Sequence, residues 1–312
     1  MSAAGRALGA AAGIGADAWL GEPPAKWHPV AAFGATMTAV EQRLYRDTRA
    51  AGAAHLAVGL GLAAFVAYGA RRVLGPGVAA AVAVAVASAG KMLDDEAAGI
   101  AAHLSAADLP SARTALRSLV GRTPDDLDAS EIARAVIESV AENSVDAVVS
   151  SLCWGAVAGA PGALMHRASN TLDAMVGHRN ARYEHFGWAS ARFDDVLNFV
   201  PARLAVAAVC ACRPHAAGSV WRTVRRDSAK HPSPNGGVIE AAYAAALGVQ
   251  LGGVNHYGGE VEDRGTLGDG TPPDASAIHA AIRLRRHTTA ALALAVAALG
   301  MCGRVVRSVH RR

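Results

Sequence analysis

Charged and aromatic side chains are scarce in this chain of 312 residues. Charged residues make up 18% of the sequence and aromatic residues 5%, against 52% hydrophobic residues. Soluble domains usually carry more charge and a smaller apolar share. The mean hydropathy is +0.22, although much of the apolar share is alanine, which is nearly neutral in a bilayer. The composition therefore favours a membrane protein and leaves the decision to individual segments.

Several common classes of site are missing from the sequence. The formal net charge is only +4, basic residues are mixed with acidic ones, and aromatics are too few to stack bases, so we expect no nucleic-acid partner. The four cysteines lack the spacing of a zinc site or a disulfide framework, and we interpret them as small buried apolar residues. No Walker loop or zinc-protease helix is present.

Apolar runs that approach the length of a bilayer-spanning helix occur at five places. They are residues 56–70, 73–89, 147–165, 199–212 and 288–303. The first two form a predicted hairpin that turns at Gly75-Pro76-Gly77, and the third is interrupted at residues 159–162. Basic residues bracket the last run, as side chains that reach the interface do. The N-terminal apolar run contains Asp17 and lacks a signal-cleavage pattern, so we expect it to be a retained helix.

The fold predicted from these runs is an all-α, polytopic membrane protein with about five transmembrane helices. Residues 94–105 and 130–141 have apolar residues at helical spacing and are predicted as amphipathic helices, whereas the Gly-rich residues 251–273 are predicted as a loop. We predict one membrane-embedded domain over residues 1–312. Its polar segments lie at about 21–53, 90–146, 166–198 and 213–287.

Acidic and amide side chains recur at the edges of the apolar runs. They are Glu142, Asn143, Asp146, Asn170, Thr171, Asp173, Asn180, Tyr183, Asp194, Asp195 and Asn198, with Arg203 in the fourth run. Spacings of three and four place members of this set on shared helix faces. The groups are Glu142 and Asn143 with Asp146, Asn170 with Asp173, and Asp194 or Asp195 with Asn198. Because such groups face lipid only at a large cost, we expect them to line the interior or a wet cavity.

Oxygen ligands of this type suit Mg²⁺, which takes one or two carboxylates together with water and substrate phosphate. Arg179 and Arg182 could then hold phosphate or carboxylate oxygens in bidentate fashion. In the alternative interpretation, the carboxylates cap helices and form ion pairs with nearby arginines.

A second polar constellation is the sequence KHPSPNGG at residues 230–237, which leads to Glu240. Its prolines hold the backbone extended, and its paired glycines permit the close approach of a ligand before a helix begins. A helix N-terminus preceded by two glycines is a natural anion site, although the segment could equally be a stiff turn. A third constellation is Asp17, inside the first apolar run, with His28 soon after it. An acidic residue in such a run indicates function unless it reaches water near the helix end.

Taken in order, these segments resemble the CobD/CbiB family, the cobinamide-phosphate synthases of cobalamin biosynthesis. The matching motifs are DAWLGEPPAKWHPVAAFG at residues 17–34, IESVAENSVD at 137–146, N-T-L-D-x-M-x-G at 170–177, F-G-W-A-x-A-R-x-D-D at 186–195 and H-P-S-P-N at 231–235. The resemblance runs nearly from end to end. Glu22 stands where this family usually has aspartate, which keeps the charge.

The resemblance implies an integral membrane enzyme that joins the amine of (R)-1-aminopropan-2-ol, or of its O-phosphate, to the f-propionate of adenosylcobyric acid. The product is adenosylcobinamide or its phosphate. A carboxylate is a poor electrophile at neutral pH, so the reaction implies activation by ATP with Mg²⁺, cationic groups that bind phosphate, and a base that frees the amine. The implied partners are the corrinoid, aminopropanol, membrane lipid and later cobalamin-assembly enzymes, with the active face cytoplasmic.

Position in these motifs leads to hypotheses for individual residues. Asp194 and Asp195 would ligate Mg²⁺, with Asp173 and Asn170 orienting them or sharing the metal, and His231 or Glu142 would be the base. Arg179 and Lys230 would bind phosphate oxygens. The other predicted binding residues are Asn143, Asp146, Thr171, Asn180, Tyr183, Arg203, Asn235, Glu240, Asp17 and His28.

Two other functions fit the same composition. One is a non-catalytic membrane sensor similar to AmpE, a relative in the same superfamily, which we would not expect to keep the N-T-L-D, F-G-W and H-P-S-P-N motifs together. The other is a transporter or corrinoid-binding module, which would need charge along a membrane path and usually has internal symmetry.

Overall fold

The computed structural model describes residues 3–22, 28–120, 125–178, 180–257 and 260–309, with the backbone alone described for 254–264 and 304–309. The α-helices are α1 (Ala3–Leu20), α2 (Pro29–Leu44), α3 (Arg49–Leu74), α4 (Pro76–Ala87), α5 (Gly90–Ser105), α6 (Leu109–Leu116), α7 (Ala129–Asn143), α8 (Ser150–Ala158), α9 (Ala160–Val176), α10 (Trp188–Cys212), α11 (Ala217–Asp227), α12 (Gly236–Leu247) and α13 (Ala275–Val309). A π-helix covers Ser144–Val149, 3₁₀ turns cover Pro214–Ala216 and Ser228–Lys230, and the strands are β1 (Leu251–Tyr257) and β2 (Glu260–Leu267).

Three of the described helical stretches are long and apolar enough to cross a membrane: Arg49–Leu74, Pro76–Ser105 and Trp188–Cys212. The predicted all-α membrane fold is therefore confirmed, while the number of about five spans stays a prediction. The hairpin between α3 and α4 is also confirmed, because α3 ends at Leu74 and α4 begins at Pro76. Gly75 joins them at a φ of 73°, a left-handed conformation that glycine adopts without strain.

The chain forms two compact units. The first consists of Met1–Lys91, Asp146–Asn198 and Ala293–Arg312, and the second of Met92–Val145 and Phe199–Leu292. The prediction of a single domain over the whole chain is not tested by this division.

Small residues bring the helices of the first unit into close contact. Helix α1 packs against α4 and α8, and a Cβ atom on Gly9 would lie 2.7 Å from the carbonyl oxygen of Gly77. Glycine at such a crossing lets two backbones approach closely, which is the usual way in which membrane helices gain van der Waals contact. Helix α9 packs against α3 and α4, and its Leu172 joins Met37 and Leu56 in a buried apolar cluster.

The second unit is built around α7 and α12. Helix α7 begins with the capping box that its sequence predicts, because Asp128 accepts from the backbone N–H of Glu131 and Glu131 accepts from that of Asp128. It packs against α6, α12 and β1. In the same unit, buried Asp94 accepts two hydrogen bonds from Arg285, of 2.6 and 2.5 Å, which join α5 to α13.

The prediction of a loop over residues 251–273 is wrong for Leu251–Tyr257 and Glu260–Leu267, whereas residues 268–273 lie outside any helix or strand. Strands β1 and β2 pair antiparallel there, with Leu251 opposite Leu267 and Tyr257 opposite Glu260. The glycines at 258 and 259, between two extended runs, were the hairpin signal in the sequence. Two side chains of α7 also bind the hairpin at Gly252. Arg134 donates to the carbonyl oxygen of Gly252, and Glu138 accepts from the N–H of Gly252 at 2.8 Å.

Two helical segments differ from those expected from the sequence, one in its type and one in where it begins. Residues 144–149 form a π-helix, whose hydrogen bonds run from i to i+5, rather than the α-helix assumed for Glu142 and Asp146. Those two residues belong to different units, and their shared face stays a prediction. Helix α10 begins at Trp188, well before the apolar run at 199, so Asp194 and Asn198 lie within a candidate membrane span.

Candidate functional site

A polar stripe on α9 forms one side of the site in the first unit. His166, Ser169, Asn170 and Asp173 follow the spacing i, i+3, i+4 and i+7, which puts them on one face of the helix. His166 and Ser169 are buried. The predicted members of this group began at Asn170, so His166 and Ser169 were missed, although the helical spacing of polar residues was a signal for them.

Asn198 on α10 is the hub of the buried hydrogen bonds. Its Oδ1 accepts from the hydroxyl of Ser150 at 2.6 Å and lies 2.8 Å from Nε2 of His166, and its Nδ2 donates to Oδ2 of Asp194 at 2.8 Å. Because Oδ1 can only accept, Nε2 of His166 must carry its proton. All four side chains are buried, so this network fixes the position of the Asp194 carboxylate.

Asp194 is the centre of a group that we call the carboxylate cluster: Ser169, Asn170, Asp173, Asp194 and Asp195. The other four members lie within hydrogen-bonding or electrostatic range of Asp194. Its Oδ1 and the hydroxyl of Ser169 are buried and make no hydrogen bond of normal geometry among the described residues. The structure therefore brings together four of the residues that the sequence predicted as metal or substrate ligands.

Arg167 is a member of the site that the sequence analysis missed. It lies within electrostatic range of the carboxylates of Glu22, Asp146 and Asp194, and its Nη1 donates to Oδ1 of Asn170 at 3.2 Å. A partly buried guanidinium beside several acidic groups compensates their charge. It also brings Asp146, predicted as a binding residue, into the neighbourhood of the carboxylate cluster.

The cluster offers oxygen ligands of the kind that Mg²⁺ takes. Within the described part of the chain, no group of three or more histidine, cysteine, aspartate or glutamate side chains is arranged to hold a metal ion by itself. Mg²⁺, however, is usually held by one or two carboxylates, and its other ligands are water and substrate phosphate. The Asp194 carboxylate, with Asp173 and Asp195 near it, fits that smaller requirement.

Asp17 and His28 have structural partners in the first unit. Oδ2 of Asp17 accepts from the backbone N–H of Gly90 at 3.1 Å, at the start of α5. Nδ1 of His28 accepts from the N–H of Val30 at 3.2 Å and caps α2, and its Nε2 lies 2.7 Å from Oε2 of Glu22. His28 therefore contacts Glu22, whose carboxylate is within electrostatic range of Arg167.

Asn180 and Tyr183 fasten the segment that precedes α10. Oδ1 of Asn180 accepts from the backbone N–H groups of Arg182 and Tyr183. The hydroxyl of Tyr183 and Nη2 of Arg182 both donate to Oε1 of Glu41, each at 3.0 Å.

The structure does not place two other predicted binding residues in the site. Thr171 donates to the carbonyl oxygen of Arg167 in its own helix. Arg179 lies outside the described residues.

His231 and Glu240 form a buried pair in the second unit. Nδ1 of His231 accepts from the backbone N–H of Ser233 at 3.0 Å. In the neutral imidazole the proton must then be on Nε2, which lies 3.5 Å from Oε1 of Glu240. Both side chains are almost fully buried, so the imidazole and carboxylate are held against each other away from bulk water.

The predicted anion site at the start of α12 is partly occupied by the chain itself. The hydroxyl of Ser233 accepts from the N–H groups of Asn235 and Gly236, which are donors that an anion would otherwise use. Arg203 donates to Oδ1 of Asn235 at 2.7 Å and to the carbonyl oxygen of Pro234 at 3.1 Å. The structure thus brings Arg203 and Asn235 together, with a role in holding this turn.

Lys230 belongs to an ion network around Asp227, a buried residue that the sequence analysis did not select. Its Nζ donates to Oδ1 of Asp227 at 2.7 Å and to the carbonyl oxygen of Thr266 at 3.0 Å. Arg226 and the N–H of Gly268 also donate to Asp227. The hydrogen bonds from Arg226 and Lys230 hold the pKa of Asp227 well below its usual range.

Glu142 and Asn143 end α7 in the same unit. Nδ2 of Asn143 donates to the carbonyl oxygen of Ser139 at 2.9 Å, and Glu142 is partly buried. Their predicted roles stay predictions.

These observations first define a class: an all-α membrane protein whose helices bury groups of acidic, amide and imidazole side chains. The model of the CobD/Cbib protein family matches residues 10–285. The chain therefore belongs to the CobD/CbiB family, and the resemblance seen in its motifs is confirmed.

Curated relatives extend this match over nearly the whole length. The relative from Mycobacterium tuberculosis is 43% identical over 295 residues, 93% of this chain and 94% of its own length. Those from Chromobacterium violaceum and Geobacter metallireducens are 42% identical over 296 residues (91% and 94%) and 41% identical over 283 residues (86% and 88%). All three are named Cobalamin biosynthesis protein CobD. No solved structure matches the chain.

Proposed function

We propose that this protein acts in cobalamin biosynthesis and forms the amide bond between (R)-1-aminopropan-2-ol, or its O-phosphate, and the f-propionate of adenosylcobyric acid. Membership of the CobD/CbiB family over residues 10–285 supports this proposal most directly. In the proposed reaction ATP phosphorylates the carboxylate and leaves as ADP, and the amine then displaces inorganic phosphate and loses a proton to give the amide. The names of the relatives agree with the pathway.

The carboxylate cluster is the proposed Mg²⁺ site of the first unit. Asp194 and Asp195 would hold the ion, and Asp173 and Asn170 would orient them. The buried Oδ1 of Asp194 supports this role, because it makes no hydrogen bond of normal geometry among the described residues and a bound ion would compensate its charge. Bound Mg²⁺ would neutralise phosphate charge. Asn198 and His166 keep the Asp194 carboxylate in place for that ion.

Glu240 is the proposed proton acceptor of the second unit. Nδ1 of His231 is occupied by the N–H of Ser233 and its Nε2 carries a proton, so the neutral imidazole has no lone pair left for a base. The carboxylate of Glu240 can bind an ammonium group and take its proton, while His231 positions it from 3.5 Å. Glu142 is the alternative base.

The proposed location is the inner or plasma membrane, with the active face toward the cytoplasm, because ATP and the corrinoid substrate are cytoplasmic solutes. The other proposed partners are membrane lipid and the enzymes of later cobalamin assembly.

The decisive experiment uses the purified full-length protein in detergent. It is incubated with adenosylcobyric acid, ATP, Mg²⁺ and either aminopropanol or its phosphate, and the amide product is measured by mass spectrometry. We expect product with one of the two amines, loss of at least a hundredfold in rate for Asp194→Asn, and a rate near wild type for Asp47→Asn, an exposed carboxylate on the surface.

Two results would contradict the proposal. Corrinoid binding without product under all these conditions would indicate a binding module or a sensor in place of an enzyme. Full Mg²⁺-dependent activity of a folded Asp194→Asn variant would remove the metal from the carboxylate cluster.

A further inference from the structure

Helix α11 has two faces of opposite character. Val220, Thr223 and Asp227 are buried on the face that packs toward α12. Trp221 and the arginines at 222 and 225 are exposed on the other face, and the side chain of Trp221 is 58% exposed. Tryptophan at protein or membrane interfaces normally has its apolar ring covered by the partner or by lipid. An exposed indole beside two guanidinium groups is therefore unusual for a surface that meets only water.

The exposed face lines an open pocket with uncompensated positive charge. The pocket has a volume of about 540 Å³ and is lined by Ser219, Trp221, Arg222, Arg225, Arg226 and Asp269, together with Thr223. Arg226 is bound to Asp227 and Asp269, which compensate its charge. Arg222 and Arg225 have no carboxylate partner among the residues the structure describes, so the pocket attracts anions.

The position of α11 in the chain places it next to the membrane. Four residues separate the candidate span Trp188–Cys212 from Ala217, and the five steps from Cys212 to Ala217 reach at most about 18 Å. The start of α11 is therefore within reach of the lipid headgroups. Tryptophan is enriched at that depth, and arginines directly after a span are attracted to anionic lipids.

We propose that this pocket binds the phosphate headgroup of an anionic phospholipid. Arg222 and Arg225 donate hydrogen bonds to the phosphate oxygens, and the ring of Trp221 lies among the glycerol and upper acyl carbons. A soluble phosphate compound is a weaker match, because it would leave the exposed indole in water. The occupied pocket anchors α11 to the membrane surface.

The test uses the full-length protein in neutral detergent, titrated with short-chain phosphatidylglycerol while bound lipid is measured by native mass spectrometry. The variant Arg222→Gln/Arg225→Gln should bind about 30-fold more weakly than wild type, roughly fivefold for each guanidinium lost. The matched control Arg43→Gln/Arg117→Gln removes two exposed arginines outside the pocket and should bind as wild type. Zwitterionic phosphatidylcholine should show no arginine-dependent binding.

A second measurement locates the lipid. Phosphatidylglycerol with brominated acyl chains should quench tryptophan fluorescence in wild type, and Trp221→Phe should lose part of that quenching. Equal phosphatidylglycerol binding by wild type and the Arg222→Gln/Arg225→Gln variant would overturn the proposal. So would arginine-dependent binding of inorganic phosphate or ATP that is as tight as that of the lipid, since the pocket would then serve a soluble ligand.

Discussion

Replacing Asn198 by alanine tests the buried network that holds the carboxylate cluster. The change removes the acceptor of the Ser150 hydroxyl and of His166 Nε2, and the donor to Asp194 Oδ2. Each buried polar group left without a partner costs about 1–3 kcal/mol. We expect a loss of about 3 kcal/mol, the low end of the sum, because a water molecule can enter the vacated space and bind part of the set.

The assay is thermal unfolding of the purified protein in detergent, followed by tryptophan fluorescence. A loss of about 3 kcal/mol should lower the unfolding midpoint by roughly 6–12 °C. Asn180→Ala is the matched control: its amide also accepts two hydrogen bonds but is exposed, so its midpoint should fall by no more than about 3 °C. Equal midpoints for Asn198→Ala and wild type would refute the network and its support of Asp194.

Two further predictions concern stability. Because the pKa of Asp227 is depressed in the folded protein, its stabilising effect is complete above the ordinary aspartate pKa of about 4 and is lost as the pH falls toward the lower folded-state pKa. In urea unfolding, wild type should therefore lose more stability than Asp227→Asn between about pH 5 and 3. Parallel pH profiles of the two proteins would contradict this prediction. Gly52→Ala places a methyl group on the carbonyl oxygen of Phe186 and should destabilise by about 2 kcal/mol. Gly61→Ala, in the same helix α3 but facing open space, should instead stabilise by up to about 1 kcal/mol, and equal unfolding midpoints for the two variants would exclude the close contact.

Local signals in the sequence were enough for much of the secondary structure. Gly75 with Pro76 marked the turn between α3 and α4, and Asp128 with Glu131 marked the start of α7. These signals act through neighbouring residues, so no tertiary information was needed. The hairpin of β1 and β2 was missed because the many glycines of residues 251–273 outweighed the shorter two-strand pattern. Its contact with α7 is long in sequence and has no local signal.

The candidate site was predictable only in part. Asp173, Asp194 and Asp195 were selected because carboxylates beside apolar helices are costly unless they face a polar ligand. Arg167 and Ser150 were missed, since neither stands out from its local sequence and each has charged or hydrogen-bonding partners that are distant in the chain. Lys230 was predicted to bind phosphate, and that role stays a prediction; the fold also gives it Asp227 as a partner, a pair that the i, i+3 spacing could have indicated.

The sequence by itself determined that this chain is an all-α membrane protein of the CobD/CbiB family, because hydropathy, helix signals and motif residues are properties of short stretches. Only the tertiary structure decided that Asn198, which spacing already placed on the same helix face as Asp194, also joins Ser150 and His166. The physical reason is that a hydrogen bond depends on distance and direction within a few tenths of an ångström. Such distances arise from the packing of helices that are far apart in the chain.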